Sequence, residues 1–135
     1  MKSSYRPSVF AKRLSLFVAG AVLLSLGAAE AGDCRNVKFH FKNEAGAKIR
    51  VRNVEIGGND GTWTEDIGNQ QILTNQHYTT NGRTLNQLDS GHKPSFMTVH
   101  FDKWSANNNA WLDRDQRFTD RKECDDNETY NFVIQ

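Results

Sequence analysis

Residues 37–53 read VKFHFKNEAGAKIRVRN, and this stretch decides the fold. Apolar and polar residues alternate in both of its halves, which is the period of two that half-buried strands show. Residues 44–46 separate the halves, and Gly46 suits the left-handed position of a three-residue hairpin loop. We therefore expect a hairpin in which Phe41 lies opposite Ile49 and Phe39 lies opposite Val51.

In that register the other face of the hairpin carries only basic side chains. Like charges directly opposed across two strands are destabilising, so this face needs an anionic partner or ample water. The sequence also allows a neighbouring strand, such as the segment 113–120, to lie across the face and neutralise it. The candidate binding residues are Lys38, His40, Lys42, Lys48, Arg50 and Arg52.

Residues 1–31 have the pattern of a signal peptide. Four basic residues precede or border an apolar run over residues 14–26, and Ala29 and Ala31 supply the small residues that signal peptidase recognises. The apolar run is short for a membrane span and is interrupted by polar residues. We expect cleavage after Ala31, a periplasmic or extracellular destination, and no transmembrane segment in the mature protein.

Removing the leader changes the charge of the protein. The whole chain has 17 basic and 16 acidic residues, but the leader holds four of the basic residues and Glu30, which leaves 13 and 15. The mature net charge is therefore about −2 rather than the +1 of the full chain. A slightly acidic, exported protein is a poor candidate for binding nucleic acid, so the basic face indicates a local site.

The mature chain, residues 32–135, has the length of one domain. Its two cysteines, Cys34 and Cys124, lie near the two ends, and in an exported protein they are expected to form a disulfide. Short apolar alternations recur about every ten residues, and Asn81-Gly82 is a strong hairpin signal that would set Tyr78 opposite Leu85. These patterns predict an all-β domain of seven or eight short strands, either a single antiparallel β-sandwich or an open barrel.

Catalytic motifs are weak in this sequence. No serine lies in a nucleophile elbow. His100 and Asp102 share one strand face, a spacing that can orient an imidazole or contribute to a metal site, although a surface pair is the simpler interpretation. We expect no enzyme activity, no metal and no cofactor.

Three functions therefore remain. The first is an exported, non-catalytic binding module whose basic patch engages an acidic protein, a polyanionic glycan or lipid head groups. The second is a membrane-active, toxin-like or effector sandwich that also uses exposed tryptophans among Trp63, Trp104 and Trp111. The third is an enzyme that uses His100 and Asp102.

Overall fold

A computed structural model describes residues 32–58 and 61–135 of the chain. The predicted signal peptide lies outside the described residues. Within the described part, no helix is long and apolar enough to cross a membrane. The eight strands are β1 (Asp33–Asn43), β2 (Ile49–Gly58), β3 (Gly61–Ile72), β4 (His77–Thr79), β5 (Arg83–Asp89), β6 (Phe96–Ser105), β7 (Ala110–Phe118) and β8 (Thr129–Ile134).

These strands form two sheets that pack as a sandwich, which confirms the predicted fold class. The large sheet has the order β3-β2-β6-β7, and all of its pairs are antiparallel. The small sheet is built around β1, which pairs with β4 and β5 on one side and with β8 on the other. The β1–β8 pair is parallel, which places the two ends of the domain in adjacent strands.

The predicted hairpin between β1 and β2 is wrong. The two strands belong to different sheets, and the loop between them crosses from one sheet to the other. Phe39, Phe41, Ile49 and Val51 are all fully buried, so their apolar faces meet across the sandwich rather than side by side. The alternation correctly identified which face of each strand is buried, but it did not identify the strand to which each is hydrogen-bonded.

The hairpin predicted at Asn81-Gly82 is also wrong. Strands β4 and β5 both pair antiparallel with β1, and they follow one another along the same edge instead of folding back on each other. Gly82 is needed here because a Cβ atom at this position would collide with the side chain of Asn36. The glycine therefore allows two neighbouring backbones to approach closely, rather than forming a tight reverse turn.

The core lies between the sheets and is rich in aromatic rings. Phe39, Phe41 and Phe132 contact one another at centroid distances of 5.2 to 6.5 Å. The predicted disulfide is confirmed: Cys34 and Cys124 are bonded, and both are fully buried in the same core cluster. The bond ties the start of β1 to the segment that precedes β8, so it closes almost the whole domain into one loop.

Candidate functional site

The sandwich divides the predicted basic face into two separate surfaces. Residues that alternate with the buried positions of β1 point outward from the small sheet, whereas those of β2 point outward from the large sheet. Since the two sheets pack through their inner faces, these outer faces lie on opposite sides of the molecule. The first surface carries Lys38, His40 and Lys42, and the second carries Arg50 and Arg52, with Lys48 in the loop that leads into β2. The expectation of one continuous patch is therefore wrong.

On the large sheet, Arg50 and Arg52 are neutralised by carboxylates of the neighbouring strands. Asp102, which is directly opposite Arg50, accepts hydrogen bonds from Nε and Nη2 of Arg50 at 2.9 and 2.6 Å. Nε of Arg52 lies 3.5 Å from Asp102, and Nη2 of Arg52 bonds Asp113. Asp102 is only 6% exposed, so these contacts form part of the folded sheet. The suggestion that a residue of the segment 113–120 neutralises the basic face is correct for Asp113.

On the small sheet, the basic residues are partly compensated. Lys42 forms an ion pair with Glu44 at 2.5 Å, and the Nδ1 atom of His40 lies 2.7 Å from the hydroxyl of Thr79. The exposed Lys38 takes part in none of the ion pairs found among the described residues. This surface is therefore only weakly basic.

A pocket of about 440 Å³ opens at the end of the large sheet where β6 turns into β7. Its cations are Lys48, Lys103 and Arg114, and none of the described residues that line it is acidic. Lys103 and Arg114 also have no partner among the ion pairs of residues 32–58 and 61–135. The full lining is Ala47, Lys48, Lys103, Trp104, Ser105, Ala106, Asn107, Leu112 and Arg114.

Strand register places two of the three cations on one face of the sheet. Lys103 lies directly opposite Leu112, and Arg114 follows two residues later on the same face of β7. A backbone hydrogen bond of 3.0 Å from Trp104 to the carbonyl of Lys48 holds the loop before β2 against the end of β6. The polar segment that follows β6 forms the connecting turn and closes this end of the pocket.

Two tryptophans brace the same end of the sheet. Trp104 and Trp111 are cross-strand neighbours whose rings meet edge to face, with centroids 5.3 Å apart. The ammonium of Lys48 lies 4.6 Å from the centre of the Trp104 ring and 5.2 Å from that of Trp111, and the guanidinium of Arg50 lies 4.8 Å from Trp111. These contacts attract both cations to the negative ring faces and fix the position of the Lys48 ammonium without neutralising it.

A second pocket, of about 340 Å³, has cations that already contact groups of the protein, including Lys122, which forms an ion pair with Glu128 at 2.5 Å. It is lined by Arg121, Lys122 and Lys93 together with Asp120 and Tyr130, among others. Asp120 lies 3.6 Å from Lys93, and Arg121 donates to the carbonyl of Asn131 while it stacks on the rings of Phe118 and Phe132. Burial lowers the pKa of Arg121 and raises the pKa of Tyr130. This pocket is therefore better explained as part of the packing around β8.

The expected pair of His100 and Asp102 does not form. Nε2 of His100 lies 3.5 Å from Glu55, whereas Asp102 is occupied by the two arginines. Among the described residues, no three histidine, cysteine or acidic side chains are grouped as metal ligands. The third function, an enzyme based on this pair, therefore has no supporting geometry at these two residues.

The pocket can bind an anionic group by direct contact with ammonium and guanidinium donors. The sequence did not indicate Lys103 and Arg114, because they lie in different strands, 11 positions apart, and outside the predicted basic face between Lys38 and Arg52. In the sequence Lys103 follows Asp102 and Arg114 lies between Asp113 and Asp115, so both look like balanced surface charges until the register of β6 and β7 is known. Comparisons with protein-family models, curated proteins and solved structures find no match to this chain.

Proposed function

We propose that this protein is an exported, non-catalytic binding module that receives an anionic group of its partner in the pocket between Lys48, Lys103 and Arg114. The observation that supports this proposal is the charge of the lining: three cations and, among the described residues, no acid. The pocket volume also lies in the range of ordinary ligand sites. The leader pattern of residues 1–31 supports the export.

The chemistry of the lining favours carboxylate, sulfate or phosphate groups. Arg114 offers a planar fork of donors and the two lysines offer compact charges, while Trp104 adds an apolar wall. An exposed ion pair contributes at most about 1 kcal/mol, so three of them contribute at most about 3 kcal/mol. Since a dissociation constant of 1 mM needs about 4 kcal/mol, a single small anion would bind very weakly.

A partner with many anionic groups overcomes this weakness. Repeated groups on one polymer or surface raise the effective concentration after the first contact, so avidity exceeds the affinity of the single pocket. The proposed partner is therefore polyanionic: an acidic protein, an acidic glycan or a lipid surface. Its binding should fall as salt is raised, because the contacts are exposed and screened.

The test compares two triple variants that remove the same number of charges. The pocket variant is Lys48→Gln, Lys103→Gln and Arg114→Gln, and the control variant is Arg35→Gln, Lys38→Gln and Lys42→Gln, whose residues are exposed on the small sheet. Retention of the oxidised protein is measured on immobilised heparin, on polyglutamate and on vesicles that contain an anionic lipid, each at two salt concentrations.

The proposal predicts that at least one matrix retains the wild type and the control variant, and that the pocket variant elutes at lower salt. Equal losses in both variants would show that only net charge matters and would refute the assignment of the pocket. Absence of retention on all three matrices would refute the polyanionic partner. Leakage of vesicle contents would support the membrane-active alternative, in which the same cations act with the tryptophans.

A further inference from the structure

Two histidines lie side by side on the outer face of the small sheet, away from the proposed pocket. His40 is in the middle of β1 and His77 begins β4, one diagonal step away across the antiparallel pair. Their ring centroids are 5.3 Å apart and the rings are tilted by 33°. Side chains at such diagonal positions are within reach of each other when they are long or aromatic.

We propose that His40 and His77 form a binding site for a divalent transition metal ion, with Cu²⁺ as the best fit and water molecules as the remaining ligands. Metal–nitrogen bonds of about 2.1 Å place the centres of two adjacent imidazole ligands on the order of 5 Å apart. The observed separation of 5.3 Å between the ring centroids matches this spacing.

Thr79 supplies the outer contact that such a site requires. The hydroxyl oxygen of Thr79 lies 2.7 Å from Nδ1 of His40, so it can accept the Nδ1 proton. In the tautomer whose Nδ1 donates this bond, Nε2 of His40 carries the lone pair, and the bond orients the ring. Ligating histidines in known metal sites are usually held through their second nitrogen in the same way.

The backbone around both rings is firmly held. His40 lies between Phe39 and Phe41, which are fully buried, and β1 is paired on both sides. The carbonyl of Gln76, the residue before His77, accepts a hydrogen bond of 2.9 Å from the backbone N–H of Asn43. Both ligands therefore start from fixed positions, which reduces the entropy that binding would cost.

One of the two lysines near the histidines is neutralised. Lys42 is the direct cross-strand neighbour of His77 and would repel a metal ion, but Glu44 forms an ion pair with it at 2.5 Å. Lys38 lies on the same face of β1, two residues from His40. Imidazole nitrogens suit copper, nickel and zinc, and Cu²⁺ binds most tightly of the divalent first-row ions. Two imidazoles without a third protein ligand are too few for a structural zinc site.

The test is a titration of the oxidised protein with Cu²⁺, followed through the ring signals of all four histidines in NMR spectra. Paramagnetic broadening is expected first at His40 and His77, before His92 and His100. The variant His77→Gln should weaken Cu²⁺ binding at least tenfold, while the control His100→Gln should leave it unchanged. Circular dichroism and unfolding curves would show that both variants remain folded.

Simultaneous broadening of all four histidines, or unchanged affinity in His77→Gln, would overturn the proposal. Broadening centred on the chain terminus would do the same, because it would assign the copper to the terminal amine. The triple variant of the pocket provides an independent check, since it should bind Cu²⁺ as the wild type does. The metal site and the polyanion pocket can therefore fail separately.

Discussion

The side chain of Asn43 should be one of the most stabilising polar groups of the domain. It is fully buried at the end of β1, where the chain leaves the small sheet for the large one. Its Nδ2 donates to the carbonyls of Ala47 and Ile72 at 2.8 and 2.9 Å, and its Oδ1 accepts from the backbone of Ala45 at 3.0 Å. The Asn43 side chain thus fixes the conformation of the loop 44–48 and also connects this loop to β3 of the opposite sheet.

The variant Asn43→Ala removes all three bonds and leaves their backbone partners unsatisfied. A hydrogen bond contributes about 1 kcal/mol net, and a buried group left without a partner costs about 1 to 3 kcal/mol. Because two of the three bonds are fully buried, we expect the free energy of unfolding to fall by about 3 to 4 kcal/mol. A domain with a stability of about 5 to 15 kcal/mol would remain folded at room temperature.

Urea unfolding followed by tryptophan fluorescence measures this loss directly. The midpoint should fall while the slope of the transition stays constant, because the surface exposed on unfolding hardly changes. Asn107→Ala, in the exposed turn between β6 and β7, is the matched control and should change the free energy by less than about 0.5 kcal/mol. A loss below about 1 kcal/mol in Asn43→Ala would refute the reasoning, since a single exposed hydrogen bond would explain it.

Three further outcomes are expected. Removal of the disulfide by Cys34→Ala with Cys124→Ala, which opens a loop spanning 90 positions, should cost up to about 4 to 5 kcal/mol in urea unfolding. Gln116→Ala should lower the free energy of unfolding by about 1 kcal/mol, because the Gln116 side chain donates to the carbonyl of Val133 in β8 and accepts from the backbone N–H of Gln135. The same variant should aggregate more, seen as increased light scattering, because these two bonds cover the edge of β8. The hydrogen bond from Lys122 lowers the pKa of Glu128 below its usual 4.5. The variant Glu128→Gln should therefore be less stable than the wild type above pH 4.5, and this difference in the free energy of unfolding should disappear as the pH falls through the lowered pKa.

The sequence predicted the strands and their buried faces because burial acts on side chains. Phe39, Phe41, Ile49 and Val51 alternate with polar residues, and each of them is fully buried. Pairing depends on backbone groups instead, which are the same for every residue, so an alternating pattern fits a neighbour in the same sheet and a neighbour across the core equally well. The short loop after Asn43 favoured the prediction of a hairpin. In the structure the Asn43 side chain hydrogen-bonds Ala45 and Ala47 of this loop, which carries the chain from one sheet to the other.

Only one of the six predicted binding residues lines the pocket, for a related reason. Lys48 lines the cationic pocket, and Trp104 and Trp111 lie at the same end of the sheet. Lys103 and Arg114 entered only when the register of β6 and β7 was known. Charge patterns within one strand are visible in the sequence, whereas a site formed by three strands is visible only after they are paired.

The same register explains why neighbouring cations of the large sheet have different roles. Arg50 has Asp102 directly opposite and is neutralised by it, so its charge contributes to the sheet itself. Lys48 lies two residues before Arg50 and contacts the rings of Trp104 and Trp111. The rings hold its ammonium in place but do not cancel its charge. A cation opposite a carboxylate is already satisfied by the fold, and a cation opposite an aromatic ring keeps most of its charge for a partner. The proposed site therefore begins just before β2, where the cross-strand neighbour changes from the acidic Asp102 to the aromatic Trp104.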